Sequence, residues 1–145
     1  MQLKRITYLS IGILSASIIA FQLALMQLLA TIQWSHFAYM VISVALLGFG
    51  ASGTALAFTK TWFVKRIKWA LPILMALCGL SMSLIMLFSS GLLGSFDSYL
   101  LFLNFSQAYS LVVIYFTFFV PFFLGAMAIG LVYAVHVQRV GSLYF

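Results

Sequence analysis

The chain has 145 residues, 66% of them hydrophobic and 6% charged, with seven bases against one acid and a net charge of +6. A soluble domain carries roughly 25% charged residues, so a water-facing globular surface is excluded and the apolar excess, mean hydropathy +1.22, has to face lipid. The bases are few and sit at segment ends. This excludes the interleaved basic and aromatic surface of a nucleic-acid groove and points to a bilayer with anionic headgroups as the partner.

The first predicted span runs from about residue 6 to 32. Lys4 and Arg5 precede it as the basic region of a secretory signal would, but the apolar stretch is too long for a signal and a second stretch follows it, so it reads as a retained helix. Gly12, Ala16, Ala20 and Ala24 recur every four residues and predict one smooth face for helix packing, inside the bundle or against a further helix or a second copy. Gln22 and Gln27 are the most polar residues deep in this span. Five positions apart is about 140° around a helix, so they point to different sides, and each predicts an intramembrane polar contact.

A short uncharged hairpin, Gln33 to His36, leads to the second span, about 37–59. Gly48, Gly50 and Gly53 spell G-x-G-x-x-G. A dinucleotide-binding turn would need a preceding strand, a following helix and an acid about 20 residues on. Here the pattern lies in an apolar span followed by bases, which predicts close helix packing instead.

The segment Lys60 to Lys68 holds four of the seven bases and is expected as a connection. The third span, about 69–92, carries Pro72 near its start and the lone Cys78 in an apolar run. One cysteine forms no internal disulfide, and a buried apolar role is expected. Leu93 to Gln107 contains Asp97, the single acid, and Phe96 to Phe105 reads as an interfacial segment. The fourth span, about 109–137, is too long for one straight helix, and Pro121 predicts a kink in it. Ala126, Gly130 and Ala134 repeat the four-residue spacing of small side chains.

Each span exceeds the roughly 20 residues needed to cross a 30 Å hydrocarbon core, and none alternates as a barrel strand does. The expected fold is therefore all-α, a single polytopic bundle of about four transmembrane helices over residues 1–145. With the N-terminus in the cytoplasm, Lys4, Arg5, Lys60, Lys65, Arg66, Lys68 and Arg139 all fall inside and Asp97 outside, as the positive-inside rule asks. Trp34, Trp62 and Trp69 fall at expected interfaces, where tryptophan concentrates.

Catalytic chemistry finds no purchase. One carboxylate gives no acid–base pair and no Ser-His-Asp arrangement. His36 and His136 fall at opposite ends of their spans, about 30 Å apart, too far to share a haem or metal. No enzymatic activity, cofactor or metal site is expected of these residues.

Two stretches carry a family resemblance. Phe21 to Thr54, FQLALMQLLATIQWSHFAYMVISVALLGFGASGT, has an aromatic-His-Phe turn leading into A-L-L-G-x-G-x-x-G. Val120 to Phe145, VPFFLGAMAIGLVYAVHVQRVGSLYF, has a P-F-F segment leading to a basic residue and then L-Y. Together they resemble the N-terminal membrane region of large bacterial spermidine synthase-like membrane proteins. The resemblance implies a place in the bacterial inner membrane and a longer chain, continuing into an acidic Gly-rich segment, more helices and a methyltransferase-like soluble domain. It assigns no aminopropyl transfer to these residues. Relatives carry a Glu and an Arg where Gln22 and Gln27 stand, which implies a polar contact kept without charge. The expected function is a membrane domain that anchors a cytoplasmic domain or handles an apolar or cationic ligand near it, with helix partners from that chain or from a complex. Two alternatives fit the same residues: a non-catalytic accessory subunit of a larger membrane complex, and half of a small dimeric transporter whose water path Gln22 and Gln27 line.

Overall fold

The structure, a computed structural model, describes residues 2–32, 36–94 and 105–140. Four helices fill them: α1 (Gln2–Ile32), α2 (His36–Lys65), α3 (Ile67–Gly94) and α4 (Phe105–Val140). Among the described residues there is no strand, so the fold is an all-α bundle. Each helix holds an apolar window of 21 to 24 residues, long enough to cross a membrane: Leu9–Thr31, Tyr39–Thr59, Trp69–Ser89 and Leu111–Ala134. The chain is a multi-pass membrane protein.

Large apolar side chains stand on the outside. Phe58 is 90% exposed, and Leu87, Leu46 and Phe116 also face outward. In water this surface would drive association; in lipid it is the solvated face. Several hydroxyls are bonded locally. Ser17 donates to the Ile13 carbonyl at 2.9 Å, Thr31 to Gln27 at 2.7 Å, Thr59 to Ala55 at 2.6 Å and Thr117 to Val113 at 2.8 Å. A hydroxyl bonded to its own helix three or four residues back needs no partner across the bundle.

The expected connection from Lys60 to Lys68 is mostly helix. α2 continues through Lys65, and the reversal is confined to Arg66, whose backbone N–H donates to the Phe63 carbonyl at 3.2 Å and whose own carbonyl accepts from Ala70 at 2.9 Å. No Gly or Pro interrupts residues 54–71, so nothing local stops the helix once it leaves the apolar window at Thr59. Pro72 lies just past the first turn of α3, where it withholds one ladder bond. Pro121 lies inside α4, which continues as helix on both sides of it although the ring withholds a donor from the carbonyl four residues back. Residues 33–35 of the first hairpin, Asp97 and all but the last residue of Phe96 to Phe105 lie outside the described residues, as do the side chains of His36, His136, Lys4, Arg5, Lys60, Lys68 and Arg139.

α4 organises the bundle. It packs most extensively on α2, then on α3, and also touches α1, whereas α2 and α3 scarcely meet despite the tight turn between them. Within its apolar window 44% of residues are buried, against 17% to 28% in the others. One core layer joins Phe21 and Leu25 of α1, Val41 and Val44 of α2, Ile85 of α3, and Phe118 and Phe122 of α4. A second, nearer the Arg66 turn, joins Leu74 of α3 with Met127, Ala128 and Leu131 of α4.

Candidate functional site

The α2–α4 seam brings the backbone of one helix against a glycine of the other. A Cβ added at Gly48 would lie 2.8 Å from Phe122 Cβ and 3.0 Å from the Phe123 backbone nitrogen. Only glycine lets the two backbones come this near, and in lipid such close approach is what holds helices together. Eight residues further along both helices, a Cβ at Gly130 would lie 3.0 Å from Leu56 Cδ2. The contacts advance together, so α2 and α4 run parallel and in register. Phe122 is fully buried, and its ring meets Phe21 of α1 at 5.7 Å between centroids, tilted by 51°.

α4 meets the other helices at its middle. A Cβ at Gly125 would lie 2.6 Å from Ile18 Cδ1 and 3.2 Å from Cys78 Sγ. Cys78, fully buried, donates its S–H to the Pro121 carbonyl, with sulfur and oxygen 3.4 Å apart. Proline, cysteine and glycine thus form one small-volume crossing of α3 over α4, with the proline ring fully buried.

Between the Gly48 contact and the Arg66 turn, the seam opens into a cleft of about 230 Å³, lined by Phe49, Ser52, Gly53 and Leu56 of α2 and Ala126, Ile129 and Gly130 of α4. Ser52 is its buried polar residue, and its hydroxyl is bonded to the Phe49 carbonyl at 2.8 Å. The remaining lining is apolar, and Phe49 and Gly53 are exposed, so the cleft opens to the outer face of the bundle.

The expected packing residues divide. Gly48, Ala126 and Gly130 lie in the α2–α4 seam. Ala134 is half-buried on the same helix. Gly53 lines the cleft, and a Cβ there would meet nothing within 4 Å; the same holds at Gly50 and Gly12. Gly12, Ala16, Ala20 and Ala24 are all exposed, so the smooth face of α1 points away from the other three helices. Gln22 is half-buried and Gln27 exposed, and neither side chain has a hydrogen-bond partner among the described residues. At the α2–α3 turn the Arg66 guanidinium lies over the Trp62 ring, 5.3 Å from its centroid, and Trp69 is 77% exposed beside it. These are interfacial contacts of the kind a headgroup layer favours.

Gly125, Cys78 with Pro121, and Ser52 do not stand out from the sequence pattern. The available signal for Gly125 was its place one helical turn after Pro121, which puts a gap and a kink-prone residue on one face. Among the described residues no three His, Cys, Asp or Glu side chains come together. The arrangement is one of shape and packing. No family model, no curated protein and no solved structure matches this chain.

Proposed function

We propose that this chain is the membrane-embedded domain of a bacterial inner-membrane protein of the spermidine synthase-like kind, with its N-terminus in the cytoplasm, and that it anchors a cytoplasmic domain. The observation that supports this reading is the seam itself. The two stretches that carry the resemblance are separated by more than sixty residues, yet Gly48 of the first sits against Phe122 of the second. The A-L-L-G helix and the P-F-F segment are thus two halves of one contact, a reason for them to occur together. Among the described residues, hydroxyls such as those of Ser17, Thr59 and Thr117 bond within their own helix, which suits an anchor.

The mass of the gene product taken intact from its native membrane tests this. A mass well above 16.1 kDa is expected. A mass of 16.1 kDa would overturn the anchoring role and leave an accessory subunit, a reading favoured by the outward-facing small residues of α1.

A further inference from the structure

α1 is the edge helix of the bundle. It packs mainly on α2, meets α4 and α3 lightly, and buries only 17% of its apolar window. Its buried side chains, Ile18, Phe21, Leu25 and Leu29, share one side. About half a turn round, Leu9, Ile13, Ala16, Ala20, Leu23 and Gln27 are all exposed. Their spacing alternates four and three residues, which is the seam of a left-handed helix pair. Ala16 and Ala20 in its middle are small enough to let two backbones approach. Gln27 lies four residues inside the end of the apolar window at Thr31, about 6 Å into the hydrocarbon at 1.5 Å per residue. Its amide points away from the other three helices and has no hydrogen-bond partner among the described residues. Lipid tails supply none, and an unbonded amide in an apolar medium is costly.

We propose that α1 pairs in parallel with α1 of a second copy of this chain, along the seam from Leu9 to Gln27, with the two Gln27 amides bonded to each other. The amide selects this occupant. Copies inserted the same way put Gln27 at equal depth, and a two-fold axis between them sets like residue against like. An amide both donates and accepts, so each carbonyl takes an N–H from the opposite side chain. Gln27 is seven residues from Ala20 and fourteen from Ile13, the same seam position two turns apart each time. A single polar side chain at that position fixes register and partner number in paired helices. Any other helix would need its own polar group at this depth and angle, whereas a second copy brings one by construction. The pairing goes beyond the anchoring role and does not depend on it.

Energy transfer between donor- and acceptor-tagged full chains, diluted stepwise with lipid in vesicles, measures the pairing. Gln27→Leu is expected to weaken it roughly fivefold, the factor that about 1 kcal/mol for an intramembrane hydrogen bond gives. Gln27→Asn keeps the amide and is expected to retain most of it. Ala20→Trp holds the two backbones apart and is expected to abolish pairing. Gly50→Trp, at an exposed position of α2 where a Cβ meets nothing, is expected to leave it intact. Protection of Cys78 from maleimide confirms that each variant is folded. In a Cys78→Ala background, Ala20→Cys should crosslink in native membranes to a product of twice the chain's mass, while Phe58→Cys, 90% exposed on α2, should not. Transfer no greater than random dilution gives, equal pairing by Gln27→Leu, or pairing that survives Ala20→Trp would each overturn the proposal. So would crosslinking of Phe58→Cys as readily as Ala20→Cys, or an Ala20→Cys product of any other mass.

Discussion

Gly48 and Phe122 bring two helices to backbone contact: a side-chain carbon on Gly48 would stand 2.8 Å from Phe122 Cβ, closer than carbon atoms pack. The Phe123 nitrogen at 3.0 Å backs the same spot, so neither helix yields by turning a side chain. Gly48→Ala is therefore expected to destabilise the bundle by about 1–3 kcal/mol, the usual range for forcing a methyl into a packed interior. This outweighs the gain of about 1 kcal/mol that alanine brings to a helix interior over glycine. Gly12→Ala and Gly50→Ala, where nothing lies within 4 Å, are expected to leave stability unchanged or raise it. Unfolding in mixed micelles titrated with a denaturing detergent measures all three.

Gly125 offers a graded comparison. Its obstacles are the tip of Ile18, 2.6 Å away, and the Cys78 sulfur at 3.2 Å, both side-chain atoms. Gly125→Ala should cost less than Gly48→Ala, because the Ile18 tip can swing aside. Ile18→Val removes the offending methyl and should recover most of the loss. A double-mutant cycle between the two positions is expected to show coupling of at least about 0.5 kcal/mol.

Cys78 reports on the fold directly. It is fully buried against Pro121 and is the chain's one cysteine. In intact membranes its labelling by maleimide should be at least tenfold slower than in denaturing detergent, since modification waits for local opening. Fast labelling in the native state would show that the α3–α4 crossing is not closed.

The proposed orientation makes its own prediction. In a Cys78→Ala background, Arg66→Cys should react with an impermeant thiol reagent only when it is supplied from the cytoplasmic side, and Asp97→Cys only from the opposite side. The reverse pattern would put the basic turn outside, against the positive-inside rule.

The four helices were legible because hydropathy over twenty residues is a strong signal and lipid permits little but helix. Their ends were not. Residues 60–65 look like a loop on charge alone, yet they extend α2, because charge marks where a helix leaves the membrane and not where it stops. Small residues were legible as smooth faces, but not what those faces meet. Gly48 and Gly130 found a neighbouring helix, while Gly12, Ala16, Ala20 and Ala24 face outward. That difference depends on the order in which helices pack, and α4 inserts between α2 and α3 against their chain order. The cleft was illegible for the same reason. Phe49 and Ser52 join Ala126 and Ile129 only because α2 and α4 run parallel in one register, which no local pattern encodes.

The parallel α2–α4 register is the central structural claim, and paired cysteines test it most directly. In a Cys78→Ala background, Leu56→Cys with Gly130→Cys should form a disulfide readily in native membranes, since a Cβ added at Gly130 would lie 3.0 Å from Leu56 Cδ2. Leu56→Cys with Phe122→Cys, about 12 Å further along the same seam, should not. Crosslinking of 56 to 122 with none between 56 and 130 would contradict the register, and with it the cleft and the seam on which the functional reading stands.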